Sequence, residues 1–378
     1  MTRHVVILGA GFAGLELSAR LSEEVPDDVH VTLIDKNDSF FFGFSKLDVL
    51  FKGESSDAVQ IPYASVARDG VEFHHASITS IDPEARRVET DSGSFDADVL
   101  VVALGADYDH DATPGFRDGG HEYYTMQGAE RLRDVLPSIT SGEVVIAVLG
   151  EPYKCPPAPF ECALLLDAYF RERGVRDDIT IRTMGYMGAP VPVDERVSGP
   201  ILAALNERGI EFLPKRTVKR LDAEAKRAVF EDDESIPYDL FIGIPVHRVP
   251  KVVAASGLAP NGWIAVDVKN LATSFENVYA LGDVAAANTA KAGVFAERAA
   301  IAVADDIIGK IRGTGPGKPF DGKGTCYLEF GDGLVAKVEA DFLGGPSPQG
   351  ALVGPSRELA DEKAEFARSR RKRWFGID

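Results

Sequence analysis

The stretch that decides the fold is residues 4–14, His-Val-Val-Ile-Leu-Gly-Ala-Gly-Phe-Ala-Gly, close to the start of the 378-residue chain. A β-branched run leads into three glycines, and residues 15–21 follow with the apolar spacing of a helix. Residues 30–34 form a second strand-like run that ends at Asp35. The order strand, glycine turn, helix, strand and acid predicts a βαβ unit that binds a dinucleotide.

Each part of this motif has a distinct physical task. Gly9 permits the tight turn, Gly11 lets a pyrophosphate approach the backbone, and Gly14 lets the helix pack on the strand. The helix N-terminus offers free N–H groups to phosphate, and Asp35 can accept hydrogen bonds from a ribose. The motif alone does not distinguish FAD from NAD.

A second signal lies at residues 276–284, Glu-Asn-Val-Tyr-Ala-Leu-Gly-Asp-Val, where a buried-type strand runs into Gly282-Asp283 before an alanine-rich helix. This segment resembles the second FAD motif of flavoproteins with two dinucleotide-binding folds. Residues 96–105 resemble their linking segment, with Leu104 where threonine is usual. The resemblance implies FAD, held by the following residues: Gly9, Gly11, Phe12, Ala13, Gly14, Asp35, Lys36, Ile78, Ala103, Gly105, Gly282 and Asp283.

The same resemblance implies an α/β fold with two Rossmann-like domains and a small C-terminal α+β segment. We expect a discontinuous FAD-binding domain from residues 1–108 and 262–318, and a second Rossmann-like domain over residues 109–261. Residues 313–324 read as a linker, and residues 319–378 as the C-terminal segment.

The second domain lacks the glycine fingerprint that holds NAD(P)H. Residues 143–150 form an apolar strand, but only Gly150 follows the pattern, and the chain continues Glu-Pro-Tyr-Lys-Cys-Pro-Pro-Ala-Pro-Phe. Proline has no N–H to donate, and Glu151 places an anion where a pyrophosphate would lie. We therefore predict no tight NAD(P)H site.

The proline-rich loop contains Cys155, one of three cysteines in the chain. We expect the ammonium of Lys154 to lower the pKa of this thiol and favour the reactive thiolate. The alternative is a buried structural cysteine, and the residues alone leave both open. Cys162 lies in an apolar helical stretch, and we interpret it as a packing residue.

The loop Lys-Cys-Pro-Pro-Ala-Pro-Phe-Glu resembles the cysteine motif of the sulfide:quinone oxidoreductase and flavocytochrome c sulfide dehydrogenase family. Gly-Thr-Cys-Tyr-Leu-Glu-Phe around Cys326 resembles the segment that carries the family's second cysteine. Residues 291–297, Lys-Ala-Gly-Val-Phe-Ala-Glu, resemble a third family segment. The resemblance implies that Cys155 and Cys326 form a redox pair, and we favour Cys326 as the cysteine that meets the flavin.

The resemblance further implies a reaction course. Sulfide attacks the disulfide or sulfur-bridged pair, two electrons enter FAD, and sulfur leaves as sulfane sulfur or polysulfide. Lys291 could stabilise negative charge on the reduced flavin; the alternative is a surface lysine. Glu161 and Glu297 could move a proton, but we interpret both as ordinary helix carboxylates.

Composition limits the partners. There are 41 Lys and Arg against 59 Asp and Glu, a net charge of −18, which argues against nucleic acid as a partner. No cysteine and histidine cluster has metal-ligand spacing, so we expect no metal. No apolar run reaches the roughly 18–20 residues of a membrane span, and no export signal is evident, so we expect a cytoplasmic protein.

The electron acceptor and the oligomeric state are less defined. A quinone fits a cytoplasmic-side enzyme, whereas a cytochrome would suggest export. Five of residues 368–373 are basic and precede Trp374-Phe375, which suits peripheral contact with the inner face of a membrane; a basic helix end docked on its own acidic domain is the alternative.

Other hypotheses for the function are a type II NADH dehydrogenase-like enzyme, a related enzyme acting on a small persulfide or thiol, and a non-enzymatic flavin or persulfide sensor. A homo-oligomer is compatible with the sequence.

Overall fold

The computed structural model describes residues 2–66 and 68–377. Its first layer is a five-stranded parallel sheet with the strand order Val278–Ala280, Val99–Val102, Arg3–Leu8, Val29–Asp35 and Val71–His75. Near-continuous apolar runs fit strands that are buried on both faces. Helices Phe12–Glu24 and Gly293–Arg312 pack against each other beside this sheet. The first layer thus combines residues from 3–102 with residues from 278–312.

A second parallel sheet lies in the middle of the chain. Its strand order is Ile210–Pro214, Ile179–Gly185, Gly142–Val148 and Leu240–Ile244. Helices Met126–Val135, Ala158–Glu172 and Glu195–Glu207 accompany it. A small antiparallel sheet is inserted in the sequence of each parallel sheet, before its later strands. The first comprises Ile78–Asp82, Arg87–Thr90 and Ser94–Asp96, and the second Val218–Asp222, Arg227–Phe230 and Ser235–Pro237. The two-Rossmann α/β fold class is confirmed, while the exact domain boundaries stay predictions.

The remaining elements are short. The helices are Ser45–Phe51, Ser56–Val59, Phe116–Gly119 and Lys251–Ala255, with 3₁₀ turns at Tyr63–Ser65, His110–Ala112, Leu136–Ser138, Arg176–Asp178 and Gly282–Val284. Two-stranded pairings join Ser39–Phe40 to Ile61–Pro62, Asp107–Asp109 to Val246–Arg248, and Ile264–Ala265 to Ala285–Ala286.

The C-terminal segment is an antiparallel sheet of Lys323–Gly331, Leu334–Asp341 and Gln349–Ser356, followed by the C-terminal helix Glu358–Phe375. Strand Lys323–Gly331 packs against helix Ala158–Glu172 of the second layer. This contact places the C-terminal segment against the second layer. The expected linker is two residues shorter at its end, because the strand begins at Lys323 rather than after Gly324.

The C-terminal aromatics are buried and do not form an exposed membrane-facing surface, while peripheral contact through the basic residues of the tail stays a prediction. Trp374 is 1% exposed and Phe375 is 5% exposed, and both lie in the core of the first layer. The Trp374 indole N–H donates to the buried carboxylate of Glu16 at 2.9 Å, and Arg373 pairs with the same carboxylate. The helix end is docked on its own acidic domain. In the described residues, no helix has the length and apolar character needed to span a bilayer.

Candidate active site

The glycine turn is shaped by three different steric needs. Gly9 has a φ of +101°, and a Cβ there would collide with the Ala103 carbonyl oxygen. A Cβ on Gly14 would collide with the Gly9 carbonyl oxygen, so helix and strand meet backbone to backbone. A Cβ on Gly11 would meet nothing within 4 Å, and the same is true of Gly105. The open space at Gly11 is where the motif needs room for a pyrophosphate.

Asp35 lies at the end of its strand, beside this turn. Its carboxylate accepts hydrogen bonds from the Ala10 N–H at 2.8 Å and the Asn37 N–H at 2.9 Å. The Tyr63 hydroxyl donates to the Ala10 carbonyl at 2.7 Å, which fixes the turn from the other side. The Asp35 carboxylate therefore lies beside the glycine turn, where it can accept hydrogen bonds from a ribose.

The other residues predicted to hold the dinucleotide differ in their solvent exposure. Ala13 is buried in the first helix, while the half-buried ring of Phe12 stands edge-on to Phe42 and Trp374. Lys36 is exposed, and its carbonyl faces the His75 ring. Ile78 is half-buried at the start of the small antiparallel sheet.

Asp283 follows Gly282, whose φ is +76°, in a 3₁₀ turn at the end of the strand Val278–Ala280. Its carboxylate lies 4.0 Å from the Lys154 ammonium. The sequence predicted a helix directly after this turn, but the helix begins only at Gly293, after a short strand. The helix N-terminus consequently lies next to Lys291 rather than next to Asp283.

Lys291 is not a surface lysine, because only 8% of it is exposed. Its ammonium donates to the Asp283 carbonyl at 2.5 Å and lies 3.5 Å from the centroid of the Trp263 ring. Burial lowers the pKa of Lys291 to about 8, with the carboxylate of Asp283 acting in the opposite direction. The side chain is a buried cation next to the predicted flavin residue Asp283.

Cys155 has a φ of +53°, in the left-handed region that a side chain disfavours. Its N–H donates to the Lys291 carbonyl at 2.7 Å, and its own carbonyl accepts from the Ala158 N–H at 2.9 Å. The surrounding backbone thus holds the thiol in a conformation that a free loop would rarely adopt.

The expected effect of Lys154 on this thiol is wrong. The Lys154 ammonium donates to the Ala106 carbonyl at 3.0 Å and to the Tyr108 hydroxyl at 3.2 Å. Burial raises the pKa of Cys155 well above its usual value, negative charge on Cys326 adds to the rise, and the cation that opposes it is Lys46. Lys46 is a further cation of the site that sequence reasoning missed, and its own pKa is lowered to about 8, mainly by burial.

Cys326 reaches the site from strand Lys323–Gly331, where it pairs in register with Val338. Burial, with the nearby Glu161 carboxylate, raises the pKa of Cys326 to about 12. Both cysteines are half-buried, and negative charge on Cys326 raises the pKa of Cys155, which indicates that the two thiols lie near each other. Both are free thiols in the structure, and their pairing stays a prediction. Cys162 is fully buried in the core of the second layer, as a packing residue would be.

Glu161 was expected to be an ordinary helix carboxylate, but its surroundings are unusual. It lies in the first turn of helix Ala158–Glu172, is 3% exposed, and accepts a hydrogen bond from the Glu329 N–H at 2.9 Å. Burial raises its pKa to about 7, Lys363 lowers it and Glu329 raises it. An acid in an otherwise apolar helix face, six positions after a cysteine, was the available signal. Glu297, by contrast, pairs with Arg370 at 3.0 Å.

Two amides of the proline-rich loop, those of Lys154 and Cys155, donate hydrogen bonds within the protein. The Lys154 N–H donates to His247 Nε2 at 3.3 Å, and His247 Nδ1 donates to the Pro245 carbonyl at 2.7 Å. Burial lowers the pKa of His247 to about 3, so the ring is neutral and Nε2 can accept. His247 is a positioning residue that no sequence motif indicated.

Comparison with known proteins agrees with this architecture. The chain is 24% identical over 347 residues to the mitochondrial sulfide:quinone oxidoreductase of Dictyostelium discoideum, which covers 86% of this chain and 74% of the relative. It is 35% identical over 132 residues to a type II NADH:quinone oxidoreductase of Staphylococcus saprophyticus, covering 34% of this chain and 33% of the relative. The structure of the Aquifex aeolicus sulfide:quinone oxidoreductase is similar with a TM-score of 0.85 at 21% identity, over 98% of this chain and 92% of that one.

The resemblance read from the cysteine motifs is thereby confirmed. The family model described as pyridine nucleotide-disulphide oxidoreductase matches residues 3–304. The chain therefore belongs to the pyridine nucleotide-disulphide oxidoreductase family, and it is an oxidoreductase.

Proposed function

We propose that this protein is an FAD-dependent sulfide oxidoreductase that uses Cys155 and Cys326 as its redox pair and passes electrons to a quinone. The observation that carries the proposal is that Cys155 and Cys326, 171 positions apart in the chain and both half-buried, interact electrostatically with each other and with the buried Glu161. Packing alone does not require a buried carboxyl group beside two thiols.

The family implies a flavin, and the residues fit FAD. Gly11 and Gly105 leave open space for the pyrophosphate, Asp35 can hold the ribose, and Asp283 can hold a ribityl hydroxyl. When FAD is bound, its isoalloxazine accepts two electrons and passes them on.

Three lysines make the site electropositive in a chain of net charge −18. Lys46 and Lys154 interact electrostatically with each other and with Asp283, and Lys291 contacts the Asp283 carbonyl. Hydrosulfide is an anion at neutral pH, so these ammonium groups favour its entry, and Lys46 stabilises thiolate or persulfide charge at Cys155.

The thiol chemistry follows from the pair. Hydrosulfide attacks one sulfur of the disulfide, a new S–S bond forms, and the other cysteine leaves as a thiolate with the bonding electron pair. The raised pKa values of both thiols make either thiolate strongly nucleophilic but a poor leaving group. The positive charge of Lys46 acts against this at Cys155, because it lowers the pKa of that thiol.

Glu161 can take the proton that hydrosulfide brings. Its pKa of about 7 leaves it partly ionised at neutral pH, which is the property a general base requires. Glu161 is close enough to both cysteines to affect their pKa values.

The quinone acceptor is supported by the names of the relatives, both of which are quinone-linked. The type II NADH:quinone oxidoreductase relative keeps reduction of the flavin by NADH as the second candidate. Against it, the amides of Lys154 and Cys155 already donate within the protein, at the loop where a pyrophosphate would need them.

Single cysteine substitutions test the proposal. Cys155→Ser and Cys326→Ser should retain FAD but lose sulfide-driven flavin bleaching by at least about a thousandfold, because the disulfide cannot form. Cys162→Ala is the matched control, since it removes a buried thiol outside the pair. Bleaching of Cys155→Ser or Cys326→Ser at the rate of the control would refute the redox pair.

A further inference from the structure

Three charged side chains are buried together, and one of them, Glu161, interacts electrostatically with both thiols. Glu161 is 3% exposed, Glu329 is 6% exposed and Lys363 is 7% exposed. They come from helix Ala158–Glu172, strand Lys323–Gly331 and the C-terminal helix. Burying charge is costly unless the groups are paired, and an apolar core would often be as stable. The cluster therefore calls for an explanation beyond packing.

The contacts of the cluster link its members in a defined order. The Lys363 ammonium pairs with Glu329 Oε1, which also accepts from Lys52 at 2.8 Å. The Glu329 N–H in turn donates to Glu161 Oε1 at 2.9 Å. Lys52 is half-exposed and also pairs with Asp48 at 2.8 Å, so the cluster reaches the surface there. Lys363 is thus coupled to Glu161 through Glu329.

The other titratable groups near Glu161 are neutral at pH 7. They are the following, all with raised pKa values: Cys155, Cys162, Cys326, Tyr123 and Tyr124. The charges that face Glu161 at neutral pH are therefore Lys363, Glu329 and Lys52.

We propose that Lys363 and Glu329 are positioning residues that set the pH at which Glu161 gives up its proton, and hence the pH at which the thiol pair reacts with hydrosulfide. The second half of this inference rests on the proposed function. The C-terminal helix then contributes to the reaction through Lys363.

The two residues act with opposite signs. A positive charge at Lys363 favours the carboxylate form of Glu161, whereas a negative charge at Glu329 favours the protonated form. Removing Lys363 should therefore make Glu161 hold its proton to higher pH, and removing the charge of Glu329 should make it release the proton at lower pH. Damage to packing would not produce opposite shifts.

The test is a pH titration of the holoenzyme by infrared spectroscopy, following the carboxyl band that disappears in Glu161→Gln. We expect Lys363→Met to raise the midpoint by about one pH unit or more and Glu329→Gln to lower it by a similar amount. The acid limb of sulfide-driven flavin bleaching should move in the same two directions.

Two variants guard against a merely structural effect. Lys363→Arg keeps the positive charge and should keep the wild-type midpoint. Lys337→Met is the matched control, because Lys337 joins the neighbouring strand to the same C-terminal helix through Glu362 at 3.1 Å; it should leave the midpoint unchanged. Should one single variant not fold, the other still tests the sign.

Shifts of both variants in the same direction, or an unchanged midpoint in the folded variant, would overturn the inference. The infrared titration needs no substrate. If wild-type protein does not respond to sulfide but the midpoints move as expected, the proposed function fails while the coupling to Glu161 stands.

Discussion

At the residue scale, Cys155 and Lys291 form one unit. The Lys291 carbonyl holds the Cys155 N–H, and the Lys291 ammonium holds the Asp283 carbonyl. The left-handed backbone of Cys155 costs on the order of 1–3 kcal/mol, which the fixed contacts on both sides offset. The backbone of Cys155 and the predicted flavin-binding turn are consequently linked through Lys291, by one main-chain hydrogen bond and one hydrogen bond from its ammonium.

Lys291→Met tests the role of the cation separately from the backbone. The Cys155 N–H bonds to a main-chain carbonyl and should survive the substitution. We expect FAD to be retained, the flavin potential to become more negative, and bleaching by sulfide to slow by about 10- to 100-fold, because a buried positive charge is lost. Stopped-flow absorbance and redox titration measure both.

Lys251→Met is the control, since Lys251 is exposed at the start of helix Lys251–Ala255. A Lys291→Met protein with the potential and rate of this control would show that the lysine does not act on the flavin.

At the element scale, the C-terminal helix joins two parts of the site. Its first half contributes Lys363 to the cluster with Glu329, three residues after Cys326 in the same strand. Its last turn places Trp374 and Arg373 on Glu16, in the helix that follows the glycine turn. The helix therefore ties the strand of the second cysteine to the dinucleotide-binding turn.

Trp374→Ala should show this linkage. Trp374 is almost fully buried and packs edge-on against Phe12, so the substitution should lower the free energy of unfolding by about 3–5 kcal/mol and speed FAD release. Urea denaturation and flavin fluorescence report the two effects. Arg368→Ala, at an exposed position of the same helix, should stay within about 0.5 kcal/mol of wild type. Equal stability of the two variants would contradict the docked position of the tail.

At the scale of the whole molecule, the net charge of −18 sets a general repulsion within the folded protein. Added salt screens charges beyond about 10 Å at 0.1 M, so the melting temperature should rise as NaCl increases from a few millimolar to about 0.5 M. Differential scanning calorimetry measures this directly. A melting temperature that falls over this range would mean that the ion pairs contribute more to stability than the repulsion removes.

The sequence was most informative where structure is local. Gly9 makes the tight turn and Gly14 lets the helix meet the strand, because the glycine turn is specified within a few residues, while the contact of Gly11 with a pyrophosphate stays a prediction. Glu161 and His247 take their roles from elements distant in the chain, so no local pattern reveals them. The predicted effect of Lys154 on the pKa of Cys155 rested on their being neighbours in sequence. The Lys154 ammonium instead donates to the Ala106 carbonyl and the Tyr108 hydroxyl.

The position of the C-terminal tail could likewise not be predicted from the sequence. Basic residues beside Trp374 and Phe375 suit either a membrane or an acidic domain, and the choice depends on where Glu16 and Phe12 lie in the fold. Composition cannot supply that position.

The most direct test of the central claim is an anaerobic titration of the wild-type flavin, with sulfide in one cell and NADH or NADPH in others. The account predicts that sulfide bleaches the flavin bands at stoichiometric amounts and that neither nicotinamide does so at comparable rates. Fast bleaching by NADH with no response to sulfide would contradict it, since the proline-rich loop would then bind a pyrophosphate and the Cys155 and Cys326 pair would not be the point of electron entry.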